Sequence, residues 1–160
     1  MEPAGLDFDP GKVFHWGYVV PDIDRALKAW TAMGAIVVVP PTQDPIQKVF
    51  CSLLIFKGAV PIELVAPVSK TDNPVKVRLA KGGGLDHVCL FTDDLQADLR
   101  SFVDDGACVA VQPTYGEVFD RELAFLVTRV GLVVELMNRR ALGRRVEDPL
   151  IGFPSRNVIR

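Results

Sequence analysis

Along the chain, short apolar runs rich in β-branched and aromatic residues alternate with two longer stretches whose apolar residues recur at helical spacing. Val13–Val20 and Leu85–Thr92 are runs of the first kind, each leading into turn-forming aspartates, and predict strands. Asp22 then stands where a carboxylate accepts from the free amides of a first helical turn, with Ile23, Ala26, Leu27 and Trp30 as an apolar stripe and Gly34 as the stop. Asp94, the stripe Leu95, Leu99, Phe102 and Val103, and Gly106 repeat that design. Three strand-like runs follow each helix: Ala35–Val39, Lys48–Phe56 and Val60–Ala66, then Ala107–Gln112, Arg121–Thr128 and Leu132–Asn138. Each half reads βαβββ, and the fold class is α+β.

The two halves match without a gap at an offset of 72 residues, which pairs Asp22 with Asp94, Leu27 with Leu99, Gly34-Ala35 with Gly106-Ala107, and Pro41-Thr42 with Pro113-Thr114. The expected organisation is one domain over residues 1–160. It comprises a module at 13–66, a connector at 67–84, a module at 85–138 and a tail at 139–160. Two copies with so long a period do not make a solenoid. In the connector, Asn73-Pro74 predicts the start of a short helix through Ala80, and Gly82–Gly84 reads as a flexible link. That glycine run follows a helix and precedes a strand, the reverse of a phosphate-cradling loop.

Composition changes this picture little. A hydrophobic fraction of 49% with 24% charged residues fits a globular chain with a sizeable core. A net charge of −2 gives no general attraction to nucleic acid or to an anionic membrane surface, and neither is expected as a partner. The three cysteines, Cys51, Cys89 and Cys108, show no C-x-x-C spacing and lie in apolar runs, which predicts buried free thiols in a reducing compartment. The segment MEPAGLDFDPGK has no basic stretch followed by an apolar run, and a cytoplasmic location is expected. Six arginines, at positions 139, 140, 144, 145, 156 and 160, mark the tail. The tail reads either as a solvated extension that packs over the body or a neighbouring subunit, or as a clamp for an anionic ligand such as a phosphate.

The chemistry lies in the repeat. His15 and His87 are the only histidines; they occupy matching frames, and each is followed 48 residues later by a glutamate, Glu63 and Glu135. A histidine on a strand is ordinarily a hydrogen-bonded structural residue, and a strand glutamate ordinarily faces solvent. Here both halves place a histidine on their first strand and a glutamate on their last, which a pseudo-twofold axis would bring to one point. Two imidazoles with two carboxylates suit a borderline divalent cation such as Zn, Ni, Co, Mn or Fe, and leave room for substrate oxygens. Strand alternation puts Cys89 on the face of His87 and turns Asp86 to the other face.

The paired modules with His15, Glu63, His87 and Glu135 at these places resemble the vicinal oxygen chelate (glyoxalase) superfamily, over about Val13 to Asn138. The segments VVPDIDRALKAW, PIELVAP, KGGGLDHVCLFTDDLQADL and GLVVEL look closest to the methylmalonyl-CoA epimerases. The resemblance implies a curled, mostly antiparallel half-open barrel around one divalent metal ion bound by those four residues. It also implies a small-molecule partner, an acyl-CoA or other thioester, whose α-proton moves through a metal-stabilised enolate. Glu63 and Glu135 are then the candidate proton carriers, and a homodimer is expected.

The chain also departs from the epimerase pattern. Many relatives carry two adjacent histidines where this chain has Asp86-His87. Some epimerases place a carboxylate near the positions of Phe50, Cys51 and Ser52 here, and many have a proline and a lysine before the last strand where this chain reads LVTRVGLVVEL. The alternatives are a glyoxalase I-type lactoylglutathione lyase on the same ligand set, a non-catalytic small-molecule binding or resistance protein, and an iron-dependent ring-cleaving dioxygenase using His15, His87 and Glu135.

Overall fold

The computed structural model describes residues 12–151 and 153. Residues 1–11, 152 and 154–160, and with them the N-terminal segment, Arg156 and Arg160, lie outside the described residues. The elements run β1 (Val13–Val19), α1 (Ile23–Ala32), β2 (Ile36–Asp44), β3 (Val49–Ile55), β4 (Ile62–Pro67), α2 (Lys76–Ala80), β5 (Gly84–Thr92), α3 (Leu95–Asp104), β6 (Cys108–Gly116), β7 (Arg121–Val127) and β8 (Val133–Asn138). Asp22 and Asp94 cap α1 and α3, accepting from the amides of Arg25 and Ala97 at 3.0 Å. Gly34 and Gly106 follow these helices at φ of 98° and 93°, left-handed values that a glycine adopts without a Cβ penalty.

The eight strands form a single curled sheet in the order β2-β3-β4-β1-β5-β8-β7-β6. β1 and β5 meet antiparallel at its centre, each flanked by a parallel partner, β4 and β8, and the outer pairs are antiparallel. The four strands on one side of the central β1·β5 pair thus repeat the four on the other, as a duplicated module requires.

Strand alternation separates two faces. Leu54 and Leu64 join Ile23, Leu27 and Trp30 under α1, while Val88, Leu90, Ala124, Leu126, Val134 and Leu136 join Leu95, Leu99 and Phe102 under α3. Val103, expected in the second stripe, is 43% exposed, because it lies at the edge of the helical face that meets the sheet. The inner face carries Phe14, Cys51, Leu53, Cys89, Phe91, Leu123 and Met137, against which Val75 and Leu79 from the connector and Leu150 and Phe153 from the tail also pack.

Three local features differ from the sequence expectation. β2 does not stop at Val39 but runs through Pro40-Pro41 to Asp44, with irregular register between Val37 and Thr42. It is an edge strand, so prolines lacking an amide proton need not interrupt its ladder. Gly83 is no loose link: a Cβ there would stand 2.6 Å from the carbonyl oxygen of Val19, and its amide donates to Arg78. Cys51 and Cys89 are buried, but Cys108 is exposed, since it opens the other edge strand, β6.

The two ends of the sheet meet at one rim. Asp44, at the end of β2, accepts from the amides of Ile46 and Gln47 in its own turn and, at 2.9 Å, from the amide of Glu117, just beyond β6. β2 and β6 are opposite edges of the sheet, so a single buried carboxylate ties the curl together. Among the described residues, no helix is long and apolar enough to cross a membrane.

Candidate metal centre

The central strands bring the four predicted residues into two adjacent rows. Gly17 of β1 lies in register with Glu63 of β4 on one side and His87 of β5 on the other. Cys89 of β5 lies in register with His15 of β1 and Glu135 of β8. The 72-residue offset exchanges the rows: Glu63 for Glu135, His15 for His87, Gly17 for Cys89. Neighbouring strands bring in-register Cβ atoms within about 5 Å on one face, so all four functional side chains rise from one patch of sheet.

Their donor atoms alternate around a ring. His15 Nε2 stands 2.9 Å from Glu63 Oε2 and 3.2 Å from Glu135 Oε2, and His87 Nε2 stands 3.4 Å and 3.2 Å from the same two oxygens. One donor atom from each of the four residues lies within 4.8 Å of every other. His15 is 0%, Glu135 3%, and Glu63 and His87 each 5% exposed, so water does not solvate this charge. The ring of His87 occupies the space over Gly17, where a Cβ would fall 2.0 Å from its Cε1.

Each central strand carries one extra residue immediately before its histidine. Register passes from Val13 to His15 opposite Leu90 and Cys89, skipping Phe14, and from Gly17 to Tyr18 opposite His87 and Leu85, skipping Asp86. A bulge breaks the two-residue alternation and re-aims side chains. Phe14 therefore joins the inner face beside His15, with ring centroids 4.7 Å apart. The sequence expectation for Asp86 is corrected for the same reason: its Oδ2 reaches His87 Nδ1 at 3.0 Å rather than facing away.

Burial and charge pull against each other at all four groups. Burial opposes protonation of His15, but Glu63 and Glu135 overcome it and raise its pKa. For His87, burial is again opposed, by Asp86, Glu135 and Glu63, and its pKa lies well above the ordinary value. Burial would raise both glutamates, yet the histidines hold Glu63 and Glu135 below the usual carboxylate range. The thiols of Cys51 and Cys89 are pushed well up, by burial first and by the two carboxylates second.

A divalent cation fits this donor set. Among the described residues, both ring nitrogens of His15, Nε2 of His87 and Oε2 of Glu135 are buried without a hydrogen-bond partner of acceptable geometry, although carboxylates and imidazoles stand in close approach. Orphaned buried polar atoms are rare and costly. Donors that share an ion at about 2.0–2.2 Å lie roughly 3 Å apart when at right angles, close to the spacings of this ring. Two neutral imidazoles and two carboxylates also balance a dication. Phe119 stands 5.7 Å from His15 and Phe125 5.3 Å from His87, ring to ring, which keeps the surroundings apolar.

The tail packs over the body. Arg121 forms a two-pronged pair with Asp148 at 2.8 and 3.0 Å, and the buried carboxylate of Asp120 accepts from Tyr115 Oη and from the amides of Gly143, Arg144 and Arg145. This brings Phe153 to 5.6 Å from Phe14, ring to ring. Arg139 pairs with Asp93, Arg144 lies over Tyr115, and Arg145 donates to the carbonyl of Glu117. Sequence reasoning passed over Asp44, Asp120 and Arg121, whose only signal was their unusual places at the ends of hairpin strands.

A sequence profile of the Glyoxalase/Bleomycin resistance protein/Dioxygenase superfamily matches residues 14–125, and the chain belongs to that superfamily. Structural neighbours include methylmalonyl-CoA epimerases. A hypothetical protein from Bacillus halodurans C-125 superposes with a TM-score of 0.71 at 21% identity, covering 84% of this chain and 98% of that one. Methylmalonyl-CoA epimerase from Mycobacterium tuberculosis gives 0.69 at 22% identity, over 81% and 88% of the two chains. A variant of the Streptomyces coelicolor epimerase, in complex with 2-nitronate-propionyl-CoA, gives 0.69 at 25% identity, over 81% and 98%. A search of curated protein sequences finds no match.

Proposed function

We propose that the protein is a divalent-metal-dependent isomerase that moves the α-proton of an acyl thioester, as an epimerase does. The observation that carries this reading is the convergence of Glu63 and Glu135, one from each half, on the same two imidazoles in a buried patch. His15, Glu63, His87 and Glu135 would hold the ion. When bound, that ion would polarise the thioester carbonyl and stabilise the enolate charge left by the departing proton.

The chain's own residues supply the rest. Inverting a carbon centre requires one group to take a proton from one face and another to return a proton to the opposite face. Glu63 and Glu135 rise from β4 and β8, on opposite sides of the central β1·β5 pair, and would be the two proton carriers, either as ligands that leave the ion or as groups in its shell. Phe14, Phe119 and Phe125 exclude water around the imidazoles, which strengthens every charge interaction inside. The relatedness of solved methylmalonyl-CoA epimerases supports a thioester substrate.

The test is exchange of the α-proton for solvent deuterium across a panel of acyl-CoA thioesters, with Zn, Ni, Co, Mn or Fe supplied in turn. Exchange at one α-carbon, lost in both E63Q and E135Q, supports the proposal. No exchange with any thioester, together with turnover of methylglyoxal and glutathione, overturns it in favour of a lactoylglutathione lyase. Failure of both reactions overturns it in favour of a binding protein.

A further inference from the structure

We propose that Asp86 is a positioning residue that fixes His87 as a metal ligand and makes the two halves of the site unequal; the proposal rests on reading the four-residue cluster as a metal centre. Asp86 Oδ2 accepts from His87 Nδ1 at 3.0 Å, with the aspartate side chain 27% exposed at the margin of the buried ring. An imidazole that donates through Nδ1 presents its Nε2 lone pair. Nε2 is the atom that stands 3.4 and 3.2 Å from the oxygens of Glu63 and Glu135.

The hydrogen bond matters more here because of what lies beneath the ring. His87 rests over Gly17, which offers no side chain to wedge it, so packing from below does not choose between the two ring orientations. A half-turn of the ring about Cβ–Cγ would put Cδ2 in place of Nδ1 and Cε1 in place of Nε2, and so withdraw the donor from the cluster. Asp86 removes that freedom.

His15 is held differently. Among the described residues its Nδ1 has no hydrogen-bond partner, and its ring is fixed by Phe14 and Phe119 at centroid distances of 4.7 and 5.7 Å. Phe14 and Asp86 occupy the same frame of the repeat, and both are the bulged residue before the histidine. The duplicated bulge therefore sends a phenyl ring into the apolar cluster in one half and a carboxylate onto an imidazole in the other.

The experiment uses the full-length protein with zinc as the probe. Zinc affinity is measured by competition with a chromophoric chelator, and the low-field Nδ1–H resonance of His87 is followed in nitrogen-15-labelled, zinc-loaded protein. D86A should weaken zinc binding roughly 10- to 100-fold and lose the resonance. D86N, which keeps an acceptor oxygen, should recover the resonance and most of the affinity, a rescue that a merely structural role would not give. F14L, in the matching frame, should leave the His87 resonance in place. Wild-type protein that binds zinc while D86A keeps both its affinity and the resonance overturns the role of Asp86. Wild-type protein that binds no zinc overturns the metal centre itself and the positioning role with it.

Discussion

The two halves share a backbone but not a set of side chains. Their helices and outer strands coincide at the 72-residue offset, and so do the left-handed turn residues Lys48 and Asp120, at φ of 61° and 54°. At that matched turn the first half carries a lysine, whereas the second carries a buried aspartate that binds the tail. Where the first half places Gly17 on the floor of the site, the second places Cys89. Where the first has Phe14 in its bulge, the second has Asp86. The two-sided scaffold is thus common to both halves, and the side chains at matched positions differ: glycine, phenylalanine and lysine in the first, cysteine and two aspartates in the second.

The largest break in this comparison should come from the floor of the site. G17A puts a methyl group where the His87 ring lies, and we expect metal affinity to fall by at least about 100-fold, because ring and ion compete for the same space. C89A, at the matched position, removes volume and should keep metal binding within about threefold. Calorimetric titration of both variants checks the pair. Equal losses would show that the halves are not distinguished there.

Next in size is the tail. D120A leaves the Tyr115 hydroxyl and three backbone amides without their acceptor, which should cost about 2–4 kcal/mol in urea unfolding. K48A in the matched turn should cost less than about 0.5 kcal/mol, because the Lys48 side chain makes a single solvent-exposed ion pair, to Asp72.

Metal-free protein should also show a defined pH window. Both histidines have raised pKa values when folded, so their contribution is complete below their ordinary value of 6.5 and fades as pH climbs through the folded values above it. Both glutamates are lowered, so theirs is complete above their ordinary value of 4.5 and fades as pH drops through the folded values below it. The melting temperature of metal-free protein should therefore peak between the two. Metal affinity should run the other way at the alkaline side, rising with pH as the ion displaces imidazole protons. A melting temperature still rising above pH 7 without metal would contradict the paired charges.

The smallest effect concerns the turn itself. K48G should stabilise by about 0.5–1 kcal/mol, since glycine accepts the left-handed backbone that lysine occupies under strain. Thermal melts would detect it.

Much of this was legible because hydrophobic period and repeat spacing agree. His15, Glu63, His87 and Glu135 could be singled out without any structure, since two matching histidines and two matching glutamates at one offset demand a common point. Alternation alone, however, assumes an unbroken pleat, and it fails where Phe14 and Asp86 are inserted. Pro40-Pro41 read as a strand end, because a proline breaks a central ladder but not an edge. The roles of Asp44, Asp120 and Arg121 depend on partners as much as 73 residues away, Asp44 on Glu117 among them, and no local pattern announces such pairings.

Anomalous diffraction from crystals grown with cobalt tests the central claim most directly. The account predicts one peak per chain, with His15 and His87 Nε2 and an oxygen each of Glu63 and Glu135 at about 2.0–2.2 Å. A cobalt-replete crystal with no peak among these four side chains, or with its peak elsewhere on the chain, would contradict it.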